Sequence, residues 1–203
     1  MNFDDKAATW DDNPERAERA DAVAAAIRRQ VRMRPEMTGF EYGCGTGLLS
    51  FALAPHLRRI TLADSSPGML AVLQERIAAR GVEHMTPIQL DLMTDPLPDT
   101  RFSLVYTMMA MHHVADTDKA LSAFFALLDS GGYLCLADLD PEDGSFHGPE
   151  FEGHLGFDRE KLADKARMAG FTALGFTTVY HITKGEGDAA RTYPVFLMTA
   201  QKP

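Results

Sequence analysis

The stretch that decides the fold is Phe40-Glu41-Tyr42-Gly43-Cys44-Gly45-Thr46-Gly47, which ends a short apolar run and precedes a helical pattern. Its three glycines let the backbone turn sharply and let a ligand approach without meeting a Cβ atom. A strand, a glycine-rich turn and a helix in this order are typical of one unit of an α/β sheet. Because such sheets bind ligands beyond the carboxyl ends of their strands, the turn is the first candidate site.

The rest of the chain repeats this alternation of short apolar runs with amphipathic stretches. Helices are predicted at Pro14–Val31, Leu48–Leu57, Pro67–Arg80 and Asp118–Leu128, with one from Asp158 to Ala169. Strands are predicted at Met37–Tyr42, Ile60–Ala63, Ile88–Leu90, Phe102–Thr107, Tyr133–Ala137, Ala173–Thr183 and Tyr193–Ala200. The last two have no helix between them. The prediction is therefore an α/β, Rossmann-like doubly wound seven-stranded sheet, mostly parallel, with a C-terminal antiparallel hairpin and helices on both faces.

Composition limits the function classes. The formal net charge of −9 opposes binding to nucleic acid or to an anionic membrane surface. No apolar stretch approaches the ~20 residues that a spanning helix needs, so no membrane insertion is expected. The N-terminus has no signal-peptide pattern, and the 2 cysteines are too few for a disulfide framework. The expected location is the cytoplasm.

Two features distinguish the glycine-rich turn from a dinucleotide fingerprint. That fingerprint places a small residue where Leu48 stands, and a bulky side chain there argues against a pyrophosphate cradle. Glu41, at the end of the first strand, would repel a phosphate but suits a ligand that carries an ammonium group.

Two further acidic residues follow predicted strands. Asp64 can accept hydrogen bonds from both hydroxyls of a ribose, or it can cap the helix that begins near Pro67, a task that Ser65 or Ser66 could also perform. Asp91, at the predicted end of the third strand, can accept a bond from an adenine amine, or it can cap the turn that follows. The nucleoside interpretation is favoured by the motif upstream, and both alternatives stay open.

Taken together, Gly43–Gly47, Asp64, Asp91, the Phe102–Val114 run and Gly131-Gly132 resemble the class I S-adenosylmethionine (SAM)-dependent methyltransferases. The resemblance is strongest to the branch that includes the ubiquinone/menaquinone biosynthesis methyltransferases (methyltransferase type 11/12), and it covers about residues 37–138. Glu41 replaces a more usual Asp with the same charge. Ser103 stands where an Asp is frequent.

The resemblance implies a role for each matching residue. The methionine part of SAM would be held by Glu41 and by the turn residues Gly43, Cys44, Gly45 and Gly47. The ribose would bind Asp64, while Ser65 and Met69 would line the adenine pocket. Asp91 and Leu92 would contact the adenine edge, and the backbone of Thr107 and Met108 would face the amino-acid end. The product would be S-adenosylhomocysteine. The chain would form a single domain over 1–203, with an N-terminal arm and helix (1–35), a cofactor-binding core (36–138) and an acceptor-side part (139–203).

Catalytic residues are less evident, because positioning and desolvation can supply most of the rate of methyl transfer. His112 and His113 are candidates, with a structural role as the alternative. Histidines and carboxylates of Asp138–Phe157 lack a metal-ligand spacing such as H-x-x-x-H, so no metal is expected. Trp10, with Phe3, would fold over the cofactor or pack on the first helix.

The predicted function is transfer of a methyl group from SAM to a small-molecule acceptor by in-line attack. Two other functions are weighed against it: a SAM-binding sensor or subunit without transferase activity, and a nicotinamide-dependent oxidoreductase. Neither the acceptor nor the oligomeric state follows from the residues.

Overall fold

The computed structural model describes residues 3–203, so the first two residues of the predicted N-terminal arm lie outside it. Seven strands form one sheet: β1 Thr38–Tyr42, β2 Arg59–Asp64, β3 Met85–Gln89, β4 Phe102–Met108, β5 Leu128–Leu139, β6 Thr172–Lys184 and β7 Arg191–Gln201. Five α-helices accompany it: α1 Pro14–Gln30, α2 Leu48–Leu53, α3 Pro67–Arg80, α4 Thr117–Leu127 and α5 Arg159–Met168.

The strand order is β3-β2-β1-β4-β5-β7-β6. β1 to β5 are parallel, whereas β7 runs antiparallel between β5 and β6. The predicted mostly parallel sheet with a terminal hairpin is confirmed. Because the order reverses between β1 and β4, their carboxyl ends border the crevice in which such sheets bind ligands.

Alternating side chains divide the core into two layers. In β4, Leu104 and Tyr106 pack with α1, α2 and α3, while the intervening Val105 packs with α4 and α5. Successive strand residues point to opposite faces of a sheet, so a strand covered on both faces is apolar throughout. The helices therefore lie on both faces, as predicted.

The helix ends follow local capping chemistry. Asn13 accepts a hydrogen bond from the backbone of Glu15 at the start of α1, and Asp158 accepts bonds from two backbone N–H groups at the start of α5. Gly81 ends α3 in the left-handed conformation, with φ +62°. Asparagine, aspartate and glycine are favoured at such helix ends, because capping depends only on neighbouring residues.

Three predicted boundaries were wrong. β3 begins at Met85 and ends at Gln89, because its limits follow pairing with β2, in which Ile60 lies opposite Met85. Pro87 is tolerated within it because β3 is an edge strand. The helix predicted over 48–57 ends at Leu53 and continues as a 3-10 turn, Ala54–His56, that contains Pro55. β5 begins at Leu128 rather than at Tyr133, so Gly131-Gly132 lies within the strand, where the pairing with β4 shifts register between the Phe102–Leu128 and Leu104–Tyr133 pairs.

Among the described residues, no helix is long and apolar enough to cross a membrane.

Candidate active site

A cavity of about 300 Å³ opens at the carboxyl ends of β1, β2 and β4. Its size is at the lower end of the range for small-molecule sites. Of the predicted cofactor residues, nine line it: Glu41, Gly43, Cys44, Gly45, Asp64, Ser65, Met69, Asp91 and Met108. The fold therefore brings together residues that are far apart in the chain.

The glycines of the turn are needed for different reasons. A Cβ on Gly43 would lie 2.4 Å from that of Ala110, and one on Gly47 would lie 2.6 Å from Leu73. These two residues and Gly45 all have a positive φ, which L side chains rarely adopt. A Cβ on Gly45 would instead meet no protein atom closer than 3.8 Å, since the space above it belongs to the cavity. Gly45 thus leaves room for a ligand to lie against the backbone.

Glu41 lies at the end of β1 and is 2% exposed. Its carboxylate accepts a hydrogen bond from Ser50, whose hydroxyl also contacts the Tyr106 hydroxyl at 2.6 Å. Burial raises the pKa of Glu41 to about 8, although the Ser50 hydrogen bond opposes the shift. The carboxyl is therefore poised to ionise when a cation comes next to it.

Asp64 links the turn to the next helix. One carboxylate oxygen accepts the Gly45 N–H at 2.8 Å, and the other accepts the Ser66 N–H at 2.9 Å. Burial raises the pKa of Asp64, while these N–H groups oppose the shift. The hydroxyl of Ser66 caps α3 by accepting from Met69, so the helix does not need Asp64 as its cap. A carboxylate oxygen has two lone pairs, so both oxygens can still accept bonds from a ligand.

Asp91 follows the end of β3 by two residues rather than ending the strand. Its carboxylate accepts the Met93 N–H at 2.8 Å, and its carbonyl accepts the N–H groups of Thr94 and Asp95. It therefore does organise the turn, as the alternative interpretation held. Because it also lines the cavity, the turn interpretation does not exclude an adenine contact.

Three predicted residues do not line the cavity. Gly47 begins α2 behind the turn. Leu92 is 2% exposed in the core, and Thr107 is fully buried in β4 with its hydroxyl oxygen lacking a partner in the described part of the chain. Met109, two residues beyond Thr107, takes φ +55° at the cavity wall. Such backbone strain in a non-glycine residue is frequent at functional sites.

The two candidate catalytic histidines have different environments. His112 is 2% exposed, and its Nδ1 lies 2.7 Å from Asp138, which is fully buried. His113 lines the cavity, and burial lowers its pKa to about 3, with the neighbouring His112 and His147 adding to the effect. A general base works best when its pKa lies near the working pH, so this shift favours a binding role for His113 over proton abstraction.

Several lining residues were missed by the sequence analysis. Arg16 and Arg19 reach the cavity from α1, and burial lowers the pKa of both guanidinium groups. The Arg19 Nε is buried without a partner among the described residues. The only available signal was position: Arg19 stands one helical turn before Val23, on the side of α1 that packs inward.

The N-terminal arm contains a short helix that the sequence analysis does not predict. Asp4–Asp12 forms a 3-10 helix that packs on α3 and places Phe3 and Trp10 at the cavity. Asp11 pairs with Arg76 and accepts a bond from Thr46 at 2.8 Å. The guanidinium of Arg16 lies 3.8 Å from the centre of the Trp10 ring. Trp10 thus both covers the cavity and packs on the first helix.

Residues 40–132 match the model of a family described as a methyltransferase domain. The chain carries a class I SAM-dependent methyltransferase domain. An uncharacterized methyltransferase of Mycobacterium tuberculosis is 34% identical over 96 residues, which cover 47% of this chain and 47% of the relative. A demethylmenaquinone methyltransferase of Symbiobacterium thermophilum is 32% identical over 117 residues, covering 55% of this chain and 47% of the relative. The predicted branch is thereby confirmed.

A solved structure shares the fold of this methyltransferase domain. Phosphoethanolamine N-methyltransferase 2 of Haemonchus contortus, in complex with SAM, is 17% identical and has a TM-score of 0.72, covering 100% of this chain and 60% of that one. The chain spans about half the length of the curated relatives it matches. SAM is the cofactor of the family, and the space above Gly45 and the buried Glu41 carboxyl fit an amino-acid end that carries a cation.

Proposed function

We propose that this chain transfers a methyl group from SAM to a small-molecule acceptor. The observation that carries the proposal is one cavity that joins the Gly45 backbone, the buried Glu41 carboxyl and the Asp64 carboxylate. These are the groups that an ammonium-bearing nucleoside requires: a close backbone approach, a buried carboxyl that ionises beside a cation, and a hydrogen-bond acceptor for ribose.

In this proposal each end of SAM has its own partners. Glu41 receives the ammonium of the methionine part, and Arg16 and Arg19, which also line the cavity, receive its carboxylate. Asp64 accepts from the ribose hydroxyls, Ser65 and Met69 border the adenine ring, and Asp91 accepts from its amine. Leu92 and Thr107 contribute backbone only, because their side chains are buried away from the cavity.

SAM supplies a methyl group on a positively charged sulfur. The chain's own task is to exclude water and to hold an acceptor in line with that methyl. Phe3, Trp10 and Met109 border the cavity and provide apolar walls. Orientation of this kind is worth about 7–11 kcal/mol in intramolecular models, so a transfer needs no strong base when the acceptor arrives unprotonated.

A small acceptor is favoured by the cover over the site. The 3-10 helix Asp4–Asp12 and its aromatic residues leave about 300 Å³, which is little room for a macromolecular segment beside SAM. The net charge of −9 also disfavours nucleic acid. The single-domain organisation and the cytoplasmic location stay predictions.

The first test is calorimetry of the chain with SAM and, separately, with NADH. Asp64→Ala should weaken SAM binding at least tenfold, since a charged hydrogen bond is worth about 1.5–3 kcal/mol. Gly45→Ala should weaken it too, because the added Cβ fills ligand space and strains a backbone with φ +51°. Asp99→Ala, at an exposed carboxylate, is the matched control and should bind SAM as the parent does. Binding of NADH but not SAM by the folded protein would contradict the proposal.

The second test concerns the acceptor. A cell extract is separated into small molecules, protein and nucleic acid, and each fraction is incubated with the chain and methyl-labelled SAM. Label transferred to the small-molecule fraction, and lost with Asp64→Ala, is the expected result. Label in protein or nucleic acid would refute a small acceptor. Tight SAM binding without labelling of any fraction would favour the sensor alternative.

A further inference from the structure

Three histidine side chains gather beside the cavity. His112 and His113 follow β4, and His147 comes from the loop after β5. The ring centre of His112 lies 4.2 Å from that of His113 and 4.8 Å from that of His147. One ring nitrogen from each of the three residues lies within 4.8 Å of the others. Sequence spacing predicts no metal site, because His147 is remote from the pair along the chain.

The buried carboxylate of Asp138 orients the first of these rings. It accepts from the His112 backbone N–H at 3.2 Å and from the Leu139 N–H at 2.8 Å, while its contact with His112 Nδ1 is 2.7 Å. A proton on Nδ1, shared with Asp138, makes Nε2 the lone-pair nitrogen. A carboxylate that holds a histidine in this way is the usual support of a metal-ligating imidazole.

His147 is held in place without its nitrogens being fully satisfied. Its ring stacks on Phe151 with ring centres 3.9 Å apart and an angle of 14° between the planes. Its Nδ1 is buried and has no hydrogen-bond partner within residues 3–203. A buried nitrogen without a partner is unfavourable, and a cation at the cluster would satisfy it.

We propose that His112, His113 and His147 bind one divalent transition-metal ion of the zinc type, in an open three-histidine site at the cavity wall. Three histidines with a free fourth position are one of the ligand sets of catalytic zinc. Imidazole favours zinc, cobalt, nickel, copper and iron over magnesium or calcium. Ligand nitrogens on one zinc ion lie about 3.4 Å apart, given Zn–N bonds of about 2.0–2.1 Å. The rings must therefore move closer when the ion binds.

The position of the cluster indicates what the ion would do. Of the three histidines, His113 is the one that lines the cavity, so the fourth ligand position faces that side. A group with an oxygen or nitrogen lone pair, such as a hydroxyl of the acceptor, would bind there and be held in place for transfer. This acceptor role rests on the proposed function, whereas metal binding itself does not.

The test is titration of the tag-free full chain with Co²⁺ after treatment with a chelator. We expect one Co²⁺ per chain and the intense visible absorption of a four- or five-coordinate ion, which Zn²⁺ should then displace. His147→Gln should weaken Co²⁺ binding at least tenfold while leaving thermal unfolding near that of the parent, because the residue lies in a partly exposed loop. His181→Gln, at an exposed position on β6, is the matched control and should leave the spectrum unchanged.

Two results would overturn the proposal: no Co²⁺ absorption in the parent chain, or absorption that survives in both His147→Gln and His113→Gln. SAM calorimetry on the same samples separates the two proposals. A parent chain that binds SAM but not Co²⁺ refutes the metal site alone. A chain that binds Co²⁺ but not SAM refutes the proposed function alone.

Discussion

Among single residues, Glu41 is a buried acid whose protonation state depends on whether a cation is bound beside it. The carboxyl is buried beside Ser50, and the Ser50 hydroxyl in turn contacts Tyr106. Its raised pKa, about 8, means that the ligand-free protein keeps it mostly protonated at neutral pH. An ammonium group would favour the ionised form, so binding and proton release are coupled.

We therefore predict that SAM binding at pH 7 releases close to one proton per chain. Calorimetry in two buffers that differ in ionisation enthalpy measures this number directly. Glu41→Gln should abolish the release and weaken SAM binding by about tenfold or more. Glu83→Gln, at an exposed position, should change neither. Unchanged proton release in Glu41→Gln would assign the effect to another group.

The same residue predicts a pH dependence of stability without ligand. The pKa of Glu41 is raised in the folded protein from an ordinary 4.5 to about 8. The folded state then binds more protons than the unfolded state between these values, so the contribution of Glu41 is fully present below about pH 4.5 and is lost as the pH rises through 8. The free energy of unfolding, measured with urea, should fall less between pH 6 and pH 9 in Glu41→Gln than in the parent.

At the scale of elements, the 3-10 helix Asp4–Asp12 acts as a cover. Asp11 joins it to Arg76 of α3 and to Thr46 of the glycine-rich turn, and Trp10 lies over the cavity. Asp4 also accepts bonds from the Ser66 hydroxyl and the Gly68 N–H, and these contacts are partly exposed, unlike the buried contacts of the sheet. Segments with few buried contacts open at low free energy, which suits a lid that must admit ligand.

Asp11→Asn should loosen this cover without unfolding the chain. We expect SAM to dissociate about 3–10-fold faster, with a loss of stability below about 1 kcal/mol, because partly exposed ion pairs contribute little. The sequence contains a single tryptophan, Trp10, so stopped-flow tryptophan fluorescence reports on the cover. Asp12→Asn, at the exposed neighbouring carboxylate, is the control. Equal dissociation rates in all three proteins would count against a covering role.

In the whole molecule, β7 joins the hairpin partner β6 to the parallel strands. It pairs with β5 on one side and β6 on the other, and its residues from Val195 to Met198 are fully buried. The strand therefore contributes to both core layers as well as to two hydrogen-bond ladders. Stability should depend strongly on the side chains of this strand.

Met198→Ala should cost about 2–5 kcal/mol of unfolding free energy, since it removes a fully buried side chain and leaves a cavity. Met168→Ala makes the same chemical change at a side chain that is 88% exposed, and should stay within about 0.5 kcal/mol of the parent. Denaturant midpoints measure both. A difference of less than about 1 kcal/mol between the two variants would show that the core around β7 repacks freely.

Local patterns determined most of the architecture. The helices Pro14–Gln30 and Pro67–Arg80 were predictable because capping residues and helical spacing act within a few neighbours. The glycines of the turn could be identified for the same reason, since backbone freedom is a local property. Glu41 and Asp64 could be identified because each is an acidic residue at the end of an apolar run. The limits of β3 were not predictable, because pairing with β2 sets them.

By itself, then, the sequence determined the order of elements, the sheet type and the acidic residues that face the cavity. Only the tertiary structure decided what gathers around them. Arg19 comes to the cavity from α1, Trp10 from the N-terminal 3-10 helix, and His147 meets His112 and His113 across the end of the sheet. The physical reason is separation: these contacts join segments tens of residues apart, and packing of the two core layers sets their distances.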